Sequence, residues 1–289
     1  MTTDNRPKRI SSSHPRSSAA AAHTAGPTTT VNVVIMDHPG SGADPSTLVA
    51  LAAALDRQVK EHFSPIWRTS ANVRFDTTAN PTDWVIGMFR DADQPGALGY
   101  HDTTPEGLPL AKIFPLLDLQ DGSPLSVTVS HELLEMLGDP YLCLCVQTAD
   151  GRFWAYENCD AVENDWYLID NVKVSNFVTP QYFQPPHVVS GCKLDYMDLV
   201  KSPGEVRHGG YMQWNDGNGW QQVVSRSSGR LAKPRIDSRM GRRIANLIPR
   251  AHYMEDPPNL KDELRMPRTI TPSSLEPTGP FSTKNLPIK

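Results

Sequence analysis

Apolar and polar residues alternate or recur in patterns that divide the chain after residue 30 into strands and helices. The run VNVVIMD at 31–37 is β-branched and apolar and stops at the turn-forming HPGSGADPS, which is typical of a strand. Apolar residues then recur every three or four positions, at Leu48, Leu51, Leu55, Val59 and Phe63. This spacing predicts a helix with one buried face, capped at its start by Ser46.

Further strands are predicted in ANVRFDTT, in DWVIGMFR, and on both sides of the Pro/Gly turn in GALGYHDTTPEGLPLAKIF. Ser123-Pro124 then opens a second helix. Two hairpins follow, one turning at Asp170-Asn171 and one in GGYMQWNDGNGWQQVV. The chain therefore predicts an α+β fold, in which a mixed sheet and its helices precede a small β-rich part.

The second helix contains the stretch SHELLEMLG, which has an apolar side and a polar side. Each residue of a helix turns by about 100°, so His131 and Glu135 lie about 40° apart, opposite the apolar Val129, Leu133 and Met136. One helical turn separates the pair, and two side chains at this spacing can reach one metal ion. We expect the apolar side to face the core and the polar pair to point away from it.

Residues 31–140 resemble the catalytic half of the zincin metallopeptidases, through this HExxH-like helix and the strands and glycine-rich edge strand before it. The resemblance implies that His131 is a zinc ligand and that Glu132 is the general base acting on a zinc-bound water. It also implies that GALGYHD is an edge strand along which Gly99, Tyr100 and His101 line a substrate groove. The stretches SHELLEMLGDP, CDAVE and VSNFVTP are also similar to parts of uncharacterised bacterial and phage proteins.

The chain departs from the zincin pattern at position 135, where glutamate replaces the second histidine. Carboxylates bind Zn²⁺ at about 2.0–2.2 Å, so Glu135 is still expected to be a ligand. Its negative charge lowers the Lewis acidity of the ion, which leaves Mn²⁺ and Ca²⁺ as alternatives to Zn²⁺. In the longer metzincin pattern Gly138 fits, but Tyr141 stands where the third ligand belongs.

Three acids after the helix are candidates for the third ligand. Asp160 is preferred, and Glu157 is an alternative, because both lie in YENCDAVEND, which can fold back over the helix. Asp139 joins the site only if the helix ends at Gly138 and the chain turns back. The competing interpretation is an amphipathic helix with solvated acids and no metal.

The four cysteines lack the paired spacing of a zinc knuckle. They are Cys143, Cys145, Cys159 and Cys192. Reduced thiols are the expected state, and a disulfide near the helix is left open for an exported protein.

Composition and charge narrow the remaining choices. With 289 residues, 38% hydrophobic and 21% charged, the chain can bury one substantial core. A net charge of -4 argues against a general nucleic-acid or membrane binder. No apolar run is long enough for a signal or a membrane span, which predicts a cytoplasmic location, with a phage- or export-associated setting left open.

We expect a disordered tail at 1–30 and a zincin-like metal-binding domain with a β-rich C-terminal part at 31–225. Residues 226–289 are expected to form a basic, Pro-rich tail or docking arm, for which the chain's own acidic body, a second copy and a partner protein are the candidate surfaces. The predicted function is a metal-dependent peptidase that hydrolyses a peptide or protein through a metal-activated water. The alternative is a non-catalytic zincin-like protein, structural or binding, with a structural metal or none.

Overall fold

The first half of the chain forms a mixed five-stranded sheet. In the computed structural model, which describes residues 28–94, 97–184, 191–216, 219–225 and the backbone of 248–252, its strands are β1 (Thr29–Asp37), β2 (Thr69–Phe75), β3 (Trp84–Met88), β4 (Gly99–Thr103) and β5 (Pro109–Ile113). They lie in the order β2-β1-β3-β5-β4. All neighbours are parallel except β4, an edge strand antiparallel to β5.

The helices of this half are α1 (Pro45–Arg57), α2 (Ser64–Trp67), α3 (Pro115–Asp121) and α4 (Leu125–Gly138), and a π-helical turn at Gln58–Phe63 joins α1 to α2. The N-cap of α1 is Asp44, whose carboxylate accepts hydrogen bonds from the amides of Ser46 and Thr47, so the predicted Ser46 cap is wrong. Pro45 then occupies the first helical position, where its missing N–H costs nothing. The short α3 was not predicted from the sequence.

One hydrophobic cluster joins α1 and α4 to the same face of the sheet. Its buried members include Val33, Ile35, Leu48, Leu51, Leu55, Ile86, Ile113, Val129, Leu133 and Met136. The residues of α1 and α4 in this cluster recur at helical spacing, so the apolar sides predicted for both helices are confirmed.

The second half is built of strands. They are β6 (Leu144–Gln147), β7 (Phe153–Ala155), β8 (Trp166–Ile169), β9 (Val172–Ser175), β10 (Tyr211–Asn215), β11 (Trp220–Val224) and β12 (Ile248–His252). Five of them form a sheet in the order β11-β10-β7-β6-β12, and β8 pairs with β9 alone. The α+β class and the mixed sheet predicted from the sequence are confirmed.

Both predicted hairpins are present. Asp170 and Asn171 join β8 to β9 with φ of 49° and 67°, the left-handed backbone that a tight two-residue hairpin requires. Strands β10 and β11 form the second hairpin.

Strand β12 lies within the segment 226–289 that the sequence assigns to a docking tail, and it pairs in parallel with β6. The rest of that segment, and most of the predicted tail at 1–30, lie outside the described residues. No disulfide joins the four cysteines, all of which fall in the described part. Among the helices described, none is both long and apolar enough to cross a membrane.

A buried polar network ties α4 to the second half of the chain. The Ser130 hydroxyl donates to Gln58 Oε1 at 2.7 Å and accepts from the Ser175 amide at 2.9 Å. Gln58 Nε2 donates to the Ser175 carbonyl at 2.9 Å. Because each of these buried groups has a partner, the network fixes α4 against the π-helical turn and against β9.

The contact between α3 and α4 includes a buried acid, Asp118, which is 1% exposed. Its Oδ1 accepts a hydrogen bond from the Thr128 hydroxyl at 2.5 Å, while Oδ2 has no hydrogen-bond partner among the described residues. Burial raises the pKa of Asp118 from 3.8 to about 7. The folded protein therefore holds this proton up to about pH 7, whereas the unfolded chain loses it near pH 4, and Asp118 lowers stability as pH rises between these values.

We predict that Asp118→Asn, which keeps the acceptor for Thr128 and removes the charge, stabilises the protein at pH 8 by about 1–3 kcal/mol and changes little at pH 4. Urea unfolding across this pH range measures the difference. The exposed Asp91→Asn is the matched control and should show no such pH dependence. An equal effect of Asp118→Asn at both pH values would contradict the assignment.

Candidate functional site

The polar side of α4 is buried, which argues against the competing interpretation of an amphipathic helix with solvated acids. His131 is 8% exposed and Glu135 is 2% exposed. Both turn away from the hydrophobic cluster, but the loop 156–163, which the sequence places near the helix, lies across them. The Cys159 amide donates a hydrogen bond to Glu135 Oε1 at 3.2 Å, which fixes the loop on this side of the helix.

His131, Glu135 and Asp160 form the first cluster of potential ligands. His131 Nε2 lies 3.2 Å from Glu135 Oε1 and 3.3 Å from Asp160 Oδ1. Two ligands of a tetrahedral Zn²⁺ at about 2.0–2.2 Å lie roughly 3.3–3.6 Å apart, so these separations are close to those of a metal site. The structure thus brings together the preferred third ligand and the pair on the helix.

His101 and Glu157 form a second cluster with the same helix. His101 Nδ1 lies 3.5 Å from Glu132 Oε2 and 3.7 Å from Glu135 Oε2, and its Nε2 lies 3.9 Å from Glu157 Oε2. His101 is fully buried, and neither ring nitrogen has a hydrogen-bond partner in the part of the chain that the structure describes. The two clusters share Glu135.

The electrostatics of the site follow from burying several acids around two histidines. Burial, reinforced by the nearby Asp160 and opposed by His131, raises the pKa of Glu135 to about 8. For His131, burial alone would lower the pKa, but Glu135 and Asp160 outweigh it and hold the pKa well above 6.5. Without a bound cation, His131 and Glu135 keep their protons to higher pH than usual, which reduces the negative charge of the site.

Gly138 and Asn158 hold the loop against α4. The Asn158 side-chain amide donates to the Leu134 carbonyl at 2.8 Å, and its Oδ1 accepts from the Cys159 thiol at 3.1 Å. A Cβ on Gly138 would collide with the Asn158 amide nitrogen. Glycine at 138 therefore permits the contact that holds Cys159 and Asp160 next to His131.

Gly99 has a similar role on the other side of α4. A Cβ there would lie 2.9 Å from Ile113 Cδ1 and 3.2 Å from Glu132 Cγ. The missing side chain lets the helix approach β4 closely, and this approach holds Glu132 beside His101.

The remaining residues of the predicted site lie elsewhere. The Asp139 carboxylate accepts hydrogen bonds from the amides of Cys143 and Leu144 at 3.0 and 2.9 Å, so it stabilises the turn after α4. Tyr100 is 1% exposed and donates to Asp93 Oδ1 at 2.7 Å. Together with the buried His101, it faces the interior of the protein and not an open groove.

Two residues of the site were missed as ligand candidates in the sequence. His101 was assigned only to a groove, although a histidine on the strand nearest the HExxE helix is a signal for a site residue. The Cys159 thiol forms a group with His131 and Glu135 whose potential ligand atoms lie within 4.8 Å of one another. Burial raises the pKa of Cys159 well above 9.0, so the sulfur is a neutral thiol that donates to Asn158.

Comparisons with known proteins give no relative for this chain: no family model, no curated protein and no solved structure matches it.

The contact between Gly138 and Asn158 can be tested with a double-mutant cycle. We predict that Gly138→Ala lowers the free energy of unfolding, although alanine normally stabilises a helix by up to about 1 kcal/mol relative to glycine. Asn158→Ala should cost about 1–3 kcal/mol by itself. In the Asn158→Ala background the collision is absent, so Gly138→Ala should be nearly neutral, giving a coupling of about 1–3 kcal/mol in urea unfolding. Additive effects would show that this contact does not hold the loop.

Proposed function

We propose that the protein is a metal-dependent peptidase that hydrolyses a peptide or protein substrate, with a divalent cation, Zn²⁺ in the first place, bound on the polar side of α4. The observation that carries the proposal is the approach of Glu135 and Asp160 to the same nitrogen of His131 in a buried site, at 3.2 and 3.3 Å, close to the separations expected between ligands of one ion.

The donor set fits a divalent cation. One imidazole nitrogen and two carboxylate oxygens are ordinary ligands of catalytic zinc and leave a coordination position for water. Several acids are buried together here, and the pKa of Glu135 is raised to about 8. A divalent cation compensates more of their negative charge than a bound proton does. A cation here would supply Lewis acidity toward a scissile carbonyl and would acidify a water molecule.

Glu132 is the general base of the proposed reaction. It follows His131 directly on α4, is 6% exposed, and has one oxygen without a hydrogen bond among the described residues. His101 Nδ1, on β4, lies 3.5 Å from that oxygen. Glu132 would take a proton from the attacking water and deliver it to the leaving amine.

The sheet supports the proposed relationship to the zincin fold. An amphipathic helix bearing the HExxE stretch packs on a mixed sheet whose edge strand, β4, lies next to it and runs antiparallel to its neighbour. These are the features on which the resemblance in the sequence rests, and β4 has one edge that no other strand of its sheet covers.

The alternative function is a non-catalytic zincin-like protein with a structural metal, and burial of the site favours it. None of His131, Glu132, Glu135, Glu157 and Asp160 is more than 8% exposed. A catalytic site has to admit a peptide, whereas a structural metal site is closed by protein ligands. Catalysis therefore requires an opening to the ion that leaves Asp160 in place beside His131.

Glu132→Gln separates the two functions. We predict that this variant keeps the bound Zn²⁺ measured by mass spectrometry and loses hydrolysis of a fluorescent unfolded protein by at least about 100-fold, because a general base transfers a proton and does not hold the ion. His131→Ala should lose both the metal and the activity. If the wild type binds metal but hydrolyses no substrate, the peptidase proposal is wrong and the structural alternative stands.

Asp160→Asn tests the third ligand. We predict that it lowers the affinity for Zn²⁺ by at least ~10-fold, since the amide is a much weaker ligand than a carboxylate. Asp139→Asn is the matched control, because it changes an equally buried aspartate that holds backbone amides. It should lower stability and leave the affinity of the folded protein unchanged. Equal affinities in Asp160→Asn and the wild type would exclude Asp160.

A further inference from the structure

The two carboxylate oxygens of Glu135 face two different histidines. Oε1 lies 3.2 Å from His131 Nε2, and Oε2 lies 3.7 Å from His101 Nδ1. The first histidine comes from one turn earlier on α4, while the second comes from β4. A glutamate in this position can bind two ions at once, whereas a histidine at 135 would offer a single nitrogen to one ion.

The side of Glu135 that faces β4 has its own set of ligands. His101, Glu135 and Glu157 each offer one potential ligand atom, and these atoms lie within 4.8 Å of one another. The set contains neither His131 nor Asp160, which lie 3.3 Å apart on the other side of Glu135.

The surroundings of the His101 side chain indicate that this second set binds a ligand or an ion. Its ring is fully buried, and both nitrogens lack a hydrogen bond among the described residues, although each points at a carboxylate oxygen between 3.5 and 3.9 Å away. Burying an imidazole in this way costs free energy unless a ligand or ion completes its interactions. The distances are longer than a normal N–H···O hydrogen bond of about 2.9 Å, so none of these carboxylates satisfies the ring nitrogens.

We propose that the site is dinuclear: His101 and Glu157 hold a second divalent cation, and Glu135 bridges it to the first. The inference rests on the proposed function for the first ion and adds the second. The charge of the site agrees with it, because Glu132, Glu135, Glu157 and Asp160 are four buried acids. One divalent cation leaves two of their negative charges uncompensated in the interior, and two cations balance all four.

A dinuclear site also changes how the chain is expected to act on its substrate. In hydrolases with two ions about 3.5–4 Å apart, both the attacking and the leaving oxygen are stabilised by a cation. Such sites are common in enzymes that cleave phosphate esters as well as in aminopeptidases. A dinuclear site is therefore compatible with the proposed peptidase.

The experiment counts Zn²⁺ ions in the full-length protein. The chelator-treated protein is titrated with Zn²⁺ by calorimetry, and the bound metal is counted by mass spectrometry after gel filtration. We expect two ions per chain in the wild type, and one in His101→Gln and in Glu157→Gln. Controls at the surface, His208→Gln and Glu106→Gln, should keep two.

Manganese provides a second readout that does not depend on activity. With Mn²⁺ in place of Zn²⁺, two ions bridged by a carboxylate are magnetically coupled, so the wild type should show the electron paramagnetic resonance spectrum of a coupled pair. Glu157→Gln, which hardly changes the size of the side chain, should show the spectrum of an isolated ion. This variant keeps the test valid if His101→Gln fails to fold.

The outcomes separate the second ion from the first. A wild type that binds one Zn²⁺, and keeps it in both variants, overturns the dinuclear site and leaves the proposed function intact. Two ions that persist in both variants also overturn it, because the second ion then lies elsewhere. A wild type that binds no metal overturns both proposals.

Discussion

The contact between the Asn158 amide and the last turn of α4 is the interaction on which the rest of the site depends. Gly138 leaves the space that the amide occupies, and the Leu134 carbonyl accepts its hydrogen bond. Through this contact the loop 156–163 lies across a helix face that would otherwise be solvated. Burial of His131 and Glu135 is thus a property of the second half of the chain and not of the helix itself.

Once the loop is in place, charge becomes the dominant constraint. Acids from the helix and from the loop meet in a volume with little access to water, where each ionised carboxylate raises the cost of ionising the next. The protein can meet this cost by holding protons, as the raised pKa of Glu135 indicates, or by binding cations. The same loop that brings Asp160 to the proposed metal site also covers it, so both the set of ligands and the burial of the site depend on the contact of Asn158 with α4.

The parts of the fold that could be predicted from the sequence are those set by local patterns. Apolar spacing identified α1 and the buried side of α4, and the Asp170-Asn171 turn identified a hairpin because few residue pairs accept two left-handed conformations. The cap of α1 was misplaced by two residues because Asp44 and Ser46 are both good caps, and only the hydrogen bonds distinguish them. The pairing of β12 with β6 joins residues about a hundred positions apart and has no local signal.

In the candidate site, too, residues close in sequence could be predicted, whereas a residue brought in by strand pairing could not. His131 and Glu135 are one turn apart on one helix, so their spacing is visible in the sequence, and Asp160 was chosen because an acidic segment follows the helix. His101 lies on β4, which follows β3 in the chain but is separated from it in the sheet by β5. This strand order places β4 at the edge of the sheet beside α4, and the sequence gives no local signal for it.

The position of His101 bears on why a glutamate at 135 fits the proposed site. Were only His131 and Asp160 present, a second histidine would serve one ion at least as well and add no charge to the interior. In the proposed dinuclear site, His101 faces Glu135 from the opposite side, and a single imidazole nitrogen at 135 could not bind both ions. A carboxylate has two oxygens on separate sides, and this is the feature that the geometry around position 135 uses.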